Sequence, residues 1–200
     1  MIIHQLEQRT PEWYEIRLGK PTGSKFGNIY TSQGKPSASQ GAYINELASE
    51  WLFGEQVAVF ENDAMKWGTK YEPEACDFFQ FHSDIQVTPC GFVTDDDLRV
   101  GVSPDGLTEA GGIEIKCPKP STHVKYLRNG KLPSEYKAQV LGCLWITGRE
   151  WWDFMSYHPQ MPNLLIRVYR DEEYINQLER LVTHACQIIE KEVTDIKERL

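Results

Sequence analysis

The 200-residue chain contains no apolar run approaching the ~20 residues that a membrane-spanning helix needs, so no helical span and no membrane partner are expected. Its first nine residues lack a basic segment followed by an apolar core. A secretory signal is therefore not expected, and a cytoplasmic location is. The five cysteines, at positions 76, 90, 117, 143 and 186, are odd in number, scattered and never in C-x-x-C spacing. That pattern argues against a disulfide framework or a zinc site and fits a reducing compartment. The five histidines (His4, His82, His123, His158, His184) show no regular spacing, and none is assigned to a site. An excess of positive charge is absent too. A net charge of -8 counts against a protein that coats nucleic acid non-specifically, but an enzyme gripping a few phosphates needs only a local basic lining. The cations are unevenly placed: Arg17, Lys20, Lys25 and Lys35 form one group, and Lys116, Lys119, Lys125, Arg128, Lys131 and Lys137 another. Acidic residues from Glu172 to Asp195 crowd the C-terminal part. There are no internal repeats, and residues 1–200 are expected to form a single domain.

The chemistry concentrates between Ser103 and Cys117, which read Ser-Pro-Asp-Gly and then, after an apolar run, Glu-Ile-Lys-Cys. Ile113 and Ile115 alternate with Glu114 and Lys116. In a strand, the isoleucines enter a core and the carboxylate and amine share the opposite face. Residues 100–102 form a short apolar run, and Gly106, Gly111 and Gly112 permit a hairpin in which the two runs pair. Strands lie about 4.8 Å apart, which would bring Asp105 and Glu114 onto one ion. Converging carboxylates suit a hard divalent cation, Mg2+ or Mn2+. Lys116 on the same face is placed to hold or deprotonate a water, or to offset charge on a phosphate oxygen. The combination describes phosphodiester hydrolysis.

Along the chain, Thr10-Pro11 predicts a helix start, with Arg17 near the end of that helix and Gly19 as its stop. Residues 21–24 turn into a second short helix, where Ser24 is either a capping serine or part of an anion site shared with Arg17. Residues 31–40 read as a polar loop before a helix over about 41–53. Residues 61–82 read as helical, with Pro73 forcing a restart: Thr69 caps, Glu72 closes a Thr-x-x-Glu box and Pro73 falls in the first turn. Glu72 is thus either a capping residue or a further carboxylate of the metal site. Strands are predicted over 85–93 and up to 102, with the aspartates at 95–97 as a solvated turn. A helix over about 121–128 ends at Gly130, and Ser134 caps a helix over 135–147 carrying Gln139, which points either to solvent or to the site. Residues 151–157 and 164–169 form a strand pair, and a long amphipathic helix starts at Glu172. The order implies an α/β sheet with helices on its faces.

Ser103-Pro104-Asp105-Gly106 with Glu114-Ile115-Lys116 resembles the PD-(D/E)-x-K nuclease superfamily, whose restriction-endonuclease-like core is a central mixed sheet flanked by helices. The resemblance extends to the lambda exonuclease family of phage recombination nucleases through WYEIRLGKPTGS (13–24), WGTKYE (67–72), SPDG, EIKCP and Ala138-Gln139-Val140. It implies that Asp105, Glu114 and the Ile115 carbonyl bind metal, that Glu72 completes the acidic site and that Lys116 activates the attacking water, with two Mg2+ ions per site and Mn2+ able to substitute. It also implies that Arg17, Ser24, Ser103 and Gln139 hold the 5′-terminal phosphate and that Met65 is a strand-separating wedge. The expected activity is 5′-to-3′ digestion of linear double-stranded DNA to 5′ mononucleotides, leaving 3′ overhangs. The expected setting is a bacterial cell carrying a phage or prophage gene, with a homotrimeric ring working beside a single-strand annealing protein. The alternatives are a related nuclease with endonuclease or single-strand specificity, and a catalytically silent module that binds DNA ends.

Overall fold

The structure is a computed structural model and describes residues 1–56 and 62–199. Two sheets organise it. The first is antiparallel in the order β1 (Ile2–His4), β2 (Phe92–Thr94), β3 (Gly101–Val102). The second runs β4 (Gly106–Leu107), β5 (Gly111–Lys116), β6 (Trp151–Ser156), β7 (Leu164–Tyr169), with β5 and β6 parallel and the other pairs antiparallel. It is therefore mixed, as the sequence predicts. A parallel pair needs a crossover, and α4 (Pro120–Asn129) and α5 (Lys137–Thr147) supply it.

Helices cover both faces of the mixed sheet. On one, α3 (Asp63–Ser83) places Ala75 and Phe79 against Ile113 and Ile115 of β5 and Met155 of β6. On the other, α5 is buried around most of its circumference and packs against β6 and against α6 (Glu172–Lys197). A 3-10 turn, Gly23–Asn28, also lies on α5. There Gly142 is required, because a Cβ at that position would sit 2.3 Å from the Phe26 ring. The outer helices α2 (Gln40–Phe53) and α6 close this layer through Tyr43, Leu47, Leu178 and Val182. Each such side chain contributes about 1.5–3 kcal/mol of burial. Asp171 caps α6 by accepting from the Tyr174 N–H at 3.1 Å, and the helix buries one stripe as its pattern predicts.

Several local expectations are corrected. Val102 pairs with Val93 in the first sheet, so the hairpin partner of β5 is β4, with Gly106 opposite Ile113. The strand expected over 85–93 is confined to β2. Thr88 bridges to Leu107 of the second sheet, Pro89 has no N–H for a ladder, and the chain changes sheets between them. The expected restart at Thr69 does not occur: α3 runs unbroken through Pro73, capped by Asn62, whose side chain accepts from Met65 N at 3.0 Å. Pro73 lies on the exposed side, where water can take the carbonyl that proline leaves unpaired. Glu72 is thus mid-helix and not a cap. The predicted start at residue 61 lies outside the described residues. Ser134 opens a 3-10 turn, Ser134–Tyr136, without a side-chain cap bond. The N-terminal strand β1 is an addition, formed by pairing with β2 across 90 residues of sequence separation.

Candidate active site

The turn between β3 and β4 presents Asp105, whose Oδ2 accepts the Ile115 N–H at 2.5 Å. That bond locks the aspartate beside β5, although the residues before it belong to the other sheet. On β5, Glu114 is 1 % exposed. Its Oε1 accepts from Gln139 Nε2 of α5 at 2.6 Å and is ion-paired with Lys116 Nζ, two residues along the same strand face. Its Oε2 is buried with no hydrogen-bond partner. The Lys116 ammonium also lies 5.5 Å from the centre of the Tyr136 ring, which stacks on Phe154.

These contacts shift the protonation equilibria. Burial is the largest influence on Asp105, the Glu114 charge adds to it and Glu72 adds less, so its carboxyl is held well above the usual range against the opposing pull of Lys116. For Lys116, burial acts to lower the pKa, but Glu114 and Asp105 together outweigh it and hold the ammonium above its ordinary value. The partly exposed Lys116 ammonium pairs with one oxygen of the buried Glu114 and leaves the other without a partner. The all-oxygen donor set of Asp105, Glu114 and the β5 backbone at Ile115 fits a hard divalent cation. Among the described residues, no three side chains of His, Cys, Asp and Glu form a ready-made ligand cluster. The third carboxylate, Glu72, is instead held by Arg9 Nη2 at 2.8 Å.

Ile115 and Lys116 line a cleft of about 820 Å³, together with Glu72 and Met65 of α3. Members of the two basic groups meet here, Arg17, Lys20 and Lys25 from one and Lys116 and Lys119 from the other, and with Arg9 they line the cleft against Glu46, Glu50 and Glu72. The acidic protein therefore carries a locally cationic cleft, the lining a phosphodiester substrate needs.

At one end, Arg17 closes α1 (Pro11–Arg17), which starts with Thr10 as cap and Pro11 at its first position. Gly19, at φ +66, then turns the chain and donates its N–H to Glu50 at 3.2 Å. The Arg17 guanidinium stacks 3.9 Å over Trp13, and its Nη1 donates to Ser103 Oγ at 2.7 Å. Burial pulls its pKa down to about 10, far enough above neutrality to leave it a cation, and its Nε is buried without a partner. Ser103 Oγ also accepts from Trp13 Nε1 at 3.1 Å. With both acceptor positions used, its O–H is left to donate.

Ser24, exposed on the 3-10 turn, lines the same cleft. Arg17 and Ser24 line the same cleft and Ser103 is bonded to Arg17, whereas Gln139 bonds to Glu114 on the carboxylate side. Met65 sits in the first turn of α3, 44 % exposed. None of the lining residues comes from the loop 31–40. His123 is a satisfied core residue, its ring bonded to Ser156 Oγ at 2.8 Å and the Pro162 carbonyl at 2.9 Å. The sequence reading missed Trp13, Arg9 and Tyr136 as members of the site. Tyr136 had a usable signal, since it lies three residues before Gln139 and so shares its helix face. Arg9 had none.

Residues 12–150 match the family of YqaJ-like viral recombinase domains. Among solved structures, the chain is similar to an alkaline exonuclease, LHK-Exo, from Laribacter hongkongensis, with 34 % identity, 95 % of this chain and 97 % of that one covered, and a TM-score of 0.87. A structure of LHK-Exo in complex with dAMP matches with the same values. A phage-related exonuclease from Haemophilus somnus 129PT shares the fold at 17 % identity, covering 88 % of this chain and 96 % of that one, with a TM-score of 0.65. No curated protein sequence matches. Among the described residues, no helix is long and apolar enough to cross a membrane.

Proposed function

The chain belongs to the YqaJ-like viral recombinase domain family, and from that premise we propose that it is a Mg2+-dependent exonuclease of phage-type recombination. It digests the 5′-ended strand of linear double-stranded DNA, releases 5′ mononucleotides and leaves 3′ overhangs for strand annealing. The observation that carries this reading is the Asp105–Glu114–Lys116 centre beside a cationic cleft that Arg17, bonded to Ser103, also lines. LHK-Exo, which is named as an exonuclease and has a complex with dAMP, supports the nuclease class and a nucleoside monophosphate as product.

Asp105, Glu114 and the Ile115 carbonyl would hold the divalent ions, two per site, with Glu72 completing the set. When bound, Mg2+ supplies neutralisation of the scissile phosphate and a more acidic attacking water. Lys116 acts in two ways. As an ammonium it donates to a phosphate oxygen and offsets charge developing there. In its neutral form Nζ would take the proton of the water that attacks in line. Gln139 keeps the Glu114 carboxylate oriented. Arg17 and the Ser103 and Ser24 hydroxyls bind the 5′-terminal phosphate, and Met65 parts the terminal base pair. A homotrimeric ring and a single-strand annealing partner follow from the resemblance, and light scattering on the purified protein checks the ring.

Strand-labelled digestion of linear duplex DNA, with Mg2+ and with chelator, tests polarity and metal dependence together. Digestion from 5′ ends only in Mg2+ is expected. Efficient nicking of covalently closed circles would favour an endonuclease, and an undiminished rate in Lys116→Ala would remove Lys116 from the chemistry.

A further inference from the structure

Arg9 has a left-handed backbone, φ +71, a conformation that costs a residue bearing a Cβ about 1 kcal/mol or more and persists where its surroundings impose it. Both neighbours are anchored. Gln8 Nε2 donates to the Cys90 and Pro104 carbonyls, each at 2.8 Å, which ties residue 8 to the approach to β2 and to the residue before Asp105. Thr10 caps α1. Held from both sides, the chain extends the Arg9 side chain to α3, where Nη2 meets Glu72 Oε2 at 2.8 Å. The guanidinium remains about half exposed, and both residues line the cleft.

Resting on the function proposed above, we propose that Arg9 alternates between two anions. It holds the Glu72 carboxylate in the free protein, yields it to a divalent ion, and then takes a backbone phosphate of the DNA strand in the cleft. The chemistry permits the exchange. An ion pair exposed on this scale is weak enough to be displaced, a doubly charged ion competes well for the carboxylate, and the guanidinium fork matches a phosphate. Because Glu72 is shared, the two bindings are coupled: metal raises DNA affinity, and DNA raises metal affinity by the same factor.

Two equilibrium measurements test this, namely calorimetric titration with Mn2+ alone and fluorescence anisotropy with a 5′-phosphorylated, phosphorothioate-protected duplex in Mn2+ or in EDTA. Arg9→Gln should bind Mn2+ about threefold to fivefold more tightly, since it removes a competitor worth at most a surface ion pair. In Mn2+ its DNA binding should weaken, with a salt slope smaller by about one, while in EDTA it should match the wild type. Arg9→Gly, which relaxes the backbone, should behave alike and so separates the lost cation from a disturbed loop. In a Glu72→Gln background, Arg9→Gln should leave Mn2+ affinity unchanged. Unaltered Mn2+ affinity in Arg9→Gln, or an equal loss of DNA binding with and without Mn2+, overturns the alternation while the function stands. Wild-type protein that binds neither Mn2+ nor DNA ends overturns the function and the alternation with it.

Discussion

Replacing Arg17 with alanine probes the proposed end-reading pocket most directly. The guanidinium is largely withdrawn from water, stacked on Trp13 at 3.9 Å and bonded to Ser103 at 2.7 Å, with Nε buried and unpartnered. A charge-assisted hydrogen bond in such a setting is worth about 1.5–3 kcal/mol, and a terminal phosphate is doubly charged near neutral pH. Losing one such bond should cut the preference for 5′-phosphate over 5′-hydroxyl ends by roughly 10- to 150-fold. The cost to the fold is smaller. Ser103 keeps the Trp13 N–H as a donor, and the packing lost, on the Trp13 and Phe92 rings, is worth about 1 kcal/mol. The assay is the ratio of kcat/KM for linear duplexes that differ only in 5′ phosphorylation, measured for wild type, Arg17→Ala and Arg17→Lys. Lysine retains the charge but not the stacked fork, so an intermediate ratio is expected. A folded Arg17→Ala protein with the wild-type ratio would refute the pocket.

Three further outcomes follow from the packing and the titration shifts. Pro73→Ala should stabilise the protein by about 1–3 kcal/mol in urea unfolding, because it restores an N–H inside a continuous helix; a neutral or negative effect would favour the restart at Thr69. Gly142→Ala forces a methyl to within 2.3 Å of the Phe26 ring and should cost about 1–3 kcal/mol, read as a lower Tm. Burial raises the Cys90 thiol to about 11 and the Cys186 thiol to about 12. The folded state therefore keeps protons that the unfolded chain releases near pH 9, so stability is fully present below that pH and is lost as pH rises toward 11 and 12. Between pH 9 and 10 the loss is roughly 1 kcal/mol per thiol. A Cys90→Ala, Cys186→Ala double variant should show a flatter pH dependence of its urea midpoint, and an unchanged slope would count against the assignment.

The parts of the site legible in the sequence are those set by short-range geometry. The alternation of Ile113, Glu114, Ile115 and Lys116 fixes which side chains share a strand face, and the structure keeps that arrangement. Thr10-Pro11 marks a helix start through local capping chemistry, and the stripe of α6 follows from its period. These features depend on backbone repeat and on side chains within a few residues, which the order of amino acids states directly.

Tertiary structure decided what distant segments do to one another. The run at residues 100–102 pairs with β2, not β5, because strand pairing is settled by competition among partners across the sheets. Glu72 reads as a cap from its spacing, yet α3 continues through Pro73 and hands that carboxylate to Arg9, 63 residues away. The net charge is a property of the chain, but the cationic cleft exists only because folding brings Arg17, Lys20 and Lys25 beside Lys116 and Lys119. Composition fixes how much charge there is, and only the fold fixes where it gathers.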